Sequence, residues 1–245
     1  MSETAVRTKA QQVGRRAPAR PQALDRRSVR TRCALRDALA AEIQATGDLS
    51  KVTVTAVTER ADVTRRTFYL HFRDIQDLVS QTEEETIEDL RGLVGNLSRV
   101  NLEELEGALD DMEPCPGSRE LLEYFKQRGS YLGALLGKGG DPAFAQHIKD
   151  MVREVVASRA LDGLDARAMG SFFDYYLTFA VSAEVGVLVE WLTGGMRESV
   201  DVMARLMTAL MFVRPGDLYG RPIDFNVPRF AMGLGLLNLK EKNDD

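Results

Sequence analysis

One stretch of the chain decides the fold: Val54-Thr55-Ala56-Val57-Thr58-Glu59-Arg60-Ala61-Asp62-Val63-Thr64-Arg65-Arg66-Thr67-Phe68-Tyr69-Leu70-His71-Phe72. Within it, Val54, Val57 and Ala61 recur at spacings of three and four residues, which predicts one apolar face of a short first helix. Thr53 precedes this segment and belongs to the residue types favoured at a helix N-cap. We therefore expect the first helix to begin directly after Thr53.

A second short helix follows after a tight turn. Asp62 and Val63 leave room only for a turn, and Thr64 is the natural N-cap of the helix that comes next. Phe68 and Phe72 lie four residues apart, so both point towards the same core as Val63. Two short helices joined in this way form a helix-turn-helix.

Burial of the two phenylalanines leaves Arg65, Arg66, Thr67 and Tyr69 on the outward side of the second helix. In helix-turn-helix proteins this helix lies in the major groove of DNA. Arginine there can bond to guanine O6 and N7, and threonine or tyrosine hydroxyls can bond to bases or phosphates. A hairpin with two arginines also occurs as a solvated surface element, but the aromatic residues and flanking helices favour DNA binding.

The run from Thr53 to Leu78 resembles the DNA-binding domain of the tetracycline-repressor family of bacterial transcriptional regulators. It departs from the usual family pattern at Asp62 in place of the turn glycine, at Arg66 in place of a small residue, and at Ile75 in place of a lysine. Asp tolerates the left-handed turn conformation better than most residues do, and Arg73 is the nearest substitute for the lysine. The predicted DNA-binding residues are Thr53, Thr64, Arg65, Arg66, Thr67, Tyr69, His71 and Arg73.

The formal charge of −5 conceals a strong asymmetry along the chain. Residues 1–32 hold nine Lys and Arg against two Asp and Glu, so the basic charge lies at the helix-turn-helix end. Residues 1–27 have no helical or strand period and are predicted to form a disordered basic arm. Such an arm either follows phosphates or the minor groove, or is a solvated tail with no role.

Several functional classes are disfavoured by composition. Two cysteines and two histidines are too few and too scattered for a zinc framework, and no cofactor motif is present, so neither metal nor cofactor is expected. We find no apolar run long enough to cross a bilayer and no signal peptide, which predicts a cytoplasmic protein without membrane contact. Asp174 stands alone in an apolar segment without a paired carboxylate or a nucleophile and its base, so an enzyme is not expected.

Helical periodicity continues through the rest of the chain, so the predicted fold class is all-α. We predict a first helix over residues 28–45 with Val29, Cys33, Leu35, Leu39 and Ile43 on its apolar face. A capping box is predicted at Asp74 and Asp77, and one further helix from about Leu121 to Leu136. Asp141 and Pro142 should start the next helix. The predicted regions are 1–27 (basic arm), 28–74 (helix-turn-helix domain), 75–213 (helical regulatory and dimerisation domain) and 214–245 (irregular extension).

The segment from about Asp165 to Trp191 is apolar nearly all round. One predicted face carries Met169, Phe172, Phe173, Tyr176, Ala180, Ala183 and Val187, and another carries Tyr175, Phe179 and Val189. A helix of this kind must be buried on more than one side. A further helix with a stripe of Met203, Leu206, Met207, Leu210 and Met211 follows Gly194-Gly195. The family resemblance implies that these two helices pair with those of a second subunit, giving a homodimer.

The resemblance implies a repressor released from a double-stranded DNA operator by a small apolar ligand. The predicted ligand-binding residues are Phe125, Tyr131, Phe144, Phe172, Asp174, Tyr175, Tyr176 and Phe179. The alternative is a constitutive or partner-controlled DNA-binding regulator without a small-molecule site, because a filled core and a ligand pocket look alike as lists of Phe, Met and Leu.

Overall fold

A computed structural model describes residues 26–160, 170–212 and 226–235. No strand occurs in these three ranges, and the all-α prediction is confirmed. A 3₁₀ turn lies at Leu49–Lys51. The helices are α1 (Arg26–Thr46), α2 (Val54–Arg60), α3 (Arg65–Tyr69), α4 (Ile75–Leu97), α5 (Leu102–Asp110), α6 (Ser118–Gln127), α7 (Gly129–Leu136), α8 (Phe144–Ala160), α9 (Gly170–Thr193), α10 (Val200–Leu210) and α11 (Val227–Gly233).

Helices α1 to α3 form the N-terminal unit, which we call the head. The buried face of α1 carries Leu35, Leu39 and Ile43 as predicted, but Val29 and Cys33 are exposed. The prediction for these two was wrong because, at 3.6 residues per turn, both lie to one side of the stripe that carries the three buried residues. Residues 1–25 of the predicted arm lie outside the described part of the chain.

Helix α4 joins the head to the C-terminal helices. Asp74 caps it by accepting a hydrogen bond from Asp77 N at 2.8 Å. In a capping box, the Asp77 side chain would accept a hydrogen bond from the backbone N of Asp74. Here Asp77 Oδ2 accepts instead from Arg73 N, one residue earlier, at 2.8 Å. Helix α4 then packs on α6 and α8, and α1 packs on α7, so one continuous hydrophobic core includes the head and the helices behind it.

The loop between α7 and α8 also holds the head. Gly139 O accepts a hydrogen bond from Leu49 N at 2.7 Å, which ties this loop to the segment after α1. A Cβ at position 139 would lie 2.6 Å from Gly47 O, so only glycine allows this approach. Gly139 is therefore a close backbone contact between this loop and the head.

Three predicted boundaries were wrong. The helix predicted over residues 121–136 is two helices, α6 and α7, which meet at Arg128. Asp141 caps a turn by accepting from Ala143 N at 2.8 Å, and α8 begins only at Phe144. The extension predicted as irregular contains α11, whose N-cap Asn226 accepts from Arg229 N at 2.8 Å.

Helix α9 buries a different face from the predicted one. The side chains that pack inward recur at helical spacing and are Leu177, Val181, Val185, Leu188, Trp191 and Leu192. Tyr176 and Ala183 of the predicted face are exposed, Phe172, Phe173, Ala180 and Val187 are half-buried, and Met169 lies outside the described residues. In α10, Met203 is buried and Met207 half-buried, whereas Leu206, Leu210 and Met211 are exposed.

Candidate nucleic-acid interface

Two threonines cap the N-termini of the two helices of the helix-turn-helix. Thr53 Oγ1 accepts a hydrogen bond from Ala56 N at 3.2 Å and caps α2. Thr64 Oγ1 accepts from Thr67 N at 3.1 Å and caps α3, and it also lies 2.9 Å from Thr67 Oγ1. Asp62 in the turn has a φ of 52°, the left-handed conformation expected of it. The local geometry predicted for this stretch is confirmed.

Buried aromatic residues support α3 from below. Phe68 and Phe72 are buried, their ring centroids lie 5.8 Å apart, and Val57 of α2 is buried beside them. The Arg32 guanidinium lies 4.9 Å from the Phe72 ring centroid and bonds to Glu85 of α4. This packing sets which side of α3 is turned outward.

The two adjacent arginines of α3 differ in their surroundings. Arg65 Nη2 donates a hydrogen bond to Thr55 Oγ1, so this guanidinium is held against α2. Arg66 is exposed, and its side chain has no hydrogen-bond or ion-pair partner in the described part of the chain. Arg66 is thus the arginine that is free to bond to an external acceptor, while Arg65 links the two helices.

The other predicted DNA-binding residues lie on or beside the same surface. Tyr69 is exposed at the end of α3, with its ring edge-on to Phe68 at 5.5 Å between centroids. Arg73 is exposed and its Nη2 lies 3.1 Å from Asp77 Oδ1. His71 is half-buried, and burial, together with nearby Arg32, lowers the pKa of its imidazole. His71 is therefore neutral at pH 7 and offers a hydrogen bond instead of a charge.

Sequence reasoning missed two exposed residues of the head. Leu70 is 75% exposed although it is a large apolar side chain within the recognition segment. The signal was present in the sequence, because Leu70 lies between Phe68 and Phe72 and so cannot share their buried face. Lys51, exposed at the end of the 3₁₀ turn before α2, is a further basic residue that was missed.

The residues predicted to bind a ligand fall into two separate groups. Phe125, Tyr131 and Phe144 are buried in the core formed by α4, α6, α7 and α8. Phe172 is half-buried, and the four others, Asp174, Tyr175, Tyr176 and Phe179, are exposed. The structure does not bring these two groups together around one enclosed site within a single chain.

Two polar groups are buried inside the core. Glu83 Oε1 of α4 has no hydrogen-bond partner among the described residues, and the Tyr124 hydroxyl of α6 lies near the Thr86 side chain. Burial, with a smaller contribution from Asp141, raises the pKa of Glu83 to about 7. Glu83 Oε2 lies 4.0 Å from His147 Nδ1, too far for a hydrogen bond. Unpaired polar groups of this kind are uncommon in folded cores.

Comparison with known families identifies both halves of the chain. A family profile described as "Bacterial regulatory proteins, tetR family" matches residues 38–82, the span from the middle of α1 into α4. A profile described as "Transcriptional regulator C-terminal region" matches residues 113–212, from the loop before α6 to the end of α10. Together the two matches cover more than half of the chain. No curated protein matches it.

Proposed function

The chain belongs to the tetR family of DNA-binding transcriptional regulators, and we propose that it is a homodimeric repressor that a small ligand releases from a palindromic operator. The observation that carries this proposal is the outward face of α3. There Arg66 stands exposed above buried Phe68 and Phe72, in a helix whose start is fixed by the Thr64 cap. This face presents one free guanidinium, the donor set that pairs with guanine O6 and N7 in the major groove.

The homodimer is supported by the outer face of α9. Tyr175 is 70% exposed and Phe179 is 73% exposed, and the neighbouring Tyr176 is exposed as well. A contiguous patch of exposed large apolar side chains marks a surface that another molecule covers. A second copy pairs each patch with an identical one, the arrangement that two-fold symmetric dimers use.

Helix α9 is also long and apolar enough to cross a membrane, by length and composition alone, which corrects the expectation that no such segment exists. Two features favour a protein partner over lipid. The buried face of α9 packs on α7 and α8, and Asp174, Glu184 and Glu190 interrupt its apolar surface. Charged residues within a lipid-spanning helix are costly, so a second copy of this chain is the better cover.

Ligand control is supported by the core behind the head. This core contains buried polar groups that would orient a small apolar molecule, among them the Tyr124 hydroxyl beside Phe125 and, elsewhere in the core, the unpaired Glu83 Oε1 of α4. Any displacement there reaches the head through α4 and through the bond between Gly139 O and Leu49 N. For a nearly complete switch the ligand must favour the released arrangement by about 5.5 kcal/mol.

The experiment is selection of binding sites from random duplex DNA by the full-length protein, followed by a hydroxyl-radical footprint on the selected sequence. We expect a palindrome whose two protected half-sites lie about 34–36 Å apart or a multiple of that distance. Compounds that raise the unfolding midpoint are then added to the same complex, and we expect the footprint to fade. A selected pool without a common sequence would contradict the DNA-reading function. A footprint that every stabilising compound leaves intact would favour the constitutive regulator.

A further inference from the structure

Leu70 is an apolar side chain in a position where the rest of the surface is polar. It is 75% exposed, close to the most exposed large apolar residue of the described chain, Met112 at 77%. Met112 lies in the loop after α5, far from the head, whereas Leu70 directly follows α3. An exposed leucine lacks the stabilisation that burial of its apolar surface would provide. Because Leu70 lies on the surface proposed to bind DNA, an apolar group of DNA is the candidate partner that would bury it.

Leu70 shares its face with the residues that approach DNA. Its backbone N donates to Arg66 O at 3.2 Å, so Leu70 lies one helical turn beyond Arg66 on the same side. Tyr69 and Arg73 flank it, and both are exposed. Phe68 and Phe72 point to the opposite side, into the core. When Arg66 reaches a base edge in the major groove, the exposed side chain of Leu70, one turn further on the same side, therefore faces the same groove.

We propose that Leu70 contacts the C5-methyl group of a thymine in the major groove, beside the base pair that Arg66 reads. The inference rests on the proposed DNA-reading function and names the base that this function recognises. The thymine methyl is the apolar group that base edges present in the major groove. It is therefore the feature of DNA that an aliphatic side chain can recognise.

The spacing of the two residues limits where the thymine lies. Side chains one turn apart on a helix have Cβ atoms about 5–6 Å apart, and successive bases rise about 3.4 Å along a strand. Arg66 and Leu70 therefore reach positions one or two base pairs apart. Each half-site should contain a thymine within two base pairs of the guanine bound by Arg66.

The test replaces thymine by uracil, which differs only by lacking the C5-methyl group. On selected operator DNA, one thymine in each half-site should be sensitive, and uracil there should weaken binding of the wild-type protein about fourfold, the factor for one buried methyl-sized group. Leu70→Ala should weaken binding to the thymine operator by a similar factor. On the uracil operator, however, Leu70→Ala should bind as well as on the thymine operator. Met112→Ala removes an equally exposed apolar side chain and should discriminate between the two operators as wild type does.

Each outcome decides the proposal. Thymine sensitivity that persists in Leu70→Ala, or a selected site with no sensitive thymine near the guanine, overturns it and leaves the DNA-reading function intact. Equal affinity of wild type and Leu70→Ala for the thymine operator also overturns it. Failure to select any sequence overturns the proposed function itself, which separates the two failures. Because Leu70 is exposed, Leu70→Ala should fold, and an unchanged unfolding midpoint verifies this.

Discussion

The head and helix α9 both carry conspicuously exposed side chains, which are charged in the head and aromatic in α9. The outer face of α3 is small and holds an unpaired guanidinium above a rigid aromatic base. The outer face of α9 is long and holds Tyr175, Tyr176 and Phe179. A charged face with free hydrogen-bond donors suits a hydrated, anionic partner such as DNA, and an aromatic face suits an apolar partner surface from which water is excluded. The face of α3 thus suits DNA, and for the face of α9 we propose a second subunit as the partner.

The largest expected effect comes from placing a charge on the aromatic face of α9. Phe179→Glu would bury two carboxylates in a symmetric interface, so we expect the variant to be monomeric in analytical ultracentrifugation. A monomer loses the gain from binding two half-sites at once, which amounts to a factor of about 10²–10⁴ in affinity for the palindrome. Met112→Glu adds the same charge to another exposed apolar position and should remain wild-type in both measurements.

This prediction separates the two regions cleanly. The head of the Phe179→Glu variant is unchanged, so its affinity for a single half-site should equal that of the wild-type head. A Phe179→Glu protein that remains dimeric and binds the palindrome normally would show that the aromatic face of α9 serves another partner.

A smaller effect is expected at the buried carboxyl of Glu83 in α4, the helix that joins the head to the C-terminal helices. Its pKa is raised to about 7 in the folded protein, against 4.5 for an ordinary glutamate, so the folded state holds its proton where the unfolded state has lost it. Stability from this group is therefore highest below about pH 4.5, falls as the pH rises towards about 7, and is lowest above that value. The total change is about 3 kcal/mol at roughly 1.4 kcal/mol per pH unit.

Glu83→Gln should remove this contribution. Urea unfolding at fixed protein concentration between pH 5 and pH 8 should show a flatter pH profile for the variant than for wild type, with the variant more stable at pH 8. Some slope should remain, because burial also raises the pKa of Glu184 in α9 to about 7. Glu120→Gln, an exposed acid on α6, is the matched control and should follow wild type. Parallel profiles for wild type and Glu83→Gln would mean that Glu83 is ionised and compensated in the folded protein.

The head was predictable from sequence because its signals are local. Thr53 and Thr64 cap helices through bonds that span three residues, and the four-residue spacing of Phe68 and Phe72 identifies the buried face. What could not be predicted is the difference between Arg65 and Arg66. That difference depends on Thr55, ten residues before Arg65, and on the angle at which α2 crosses α3.

The C-terminal half was harder to predict because an apolar helix has several candidate faces. Periodicity assigned Tyr176 and Ala183 of α9 to the core, but the structure buries Leu177, Val181 and Val185 instead. Which face turns inward is set by the positions of α7 and α8, and the sequence of α9 alone does not contain them. For the same reason the aromatic residues predicted to line one ligand site are divided between the core and the surface.

The central claim is that the exposed face of α3 reads DNA through Arg66, and one affinity measurement tests it most directly. Fluorescence anisotropy on the selected operator should show that Arg66→Ala costs about 1–3 kcal/mol of binding free energy and relaxes the preference for guanine at one position. Arg197→Ala removes an exposed arginine from the loop before α10 and should bind as wild type does. Equal operator affinity and equal base preference for wild type and Arg66→Ala would contradict the claim.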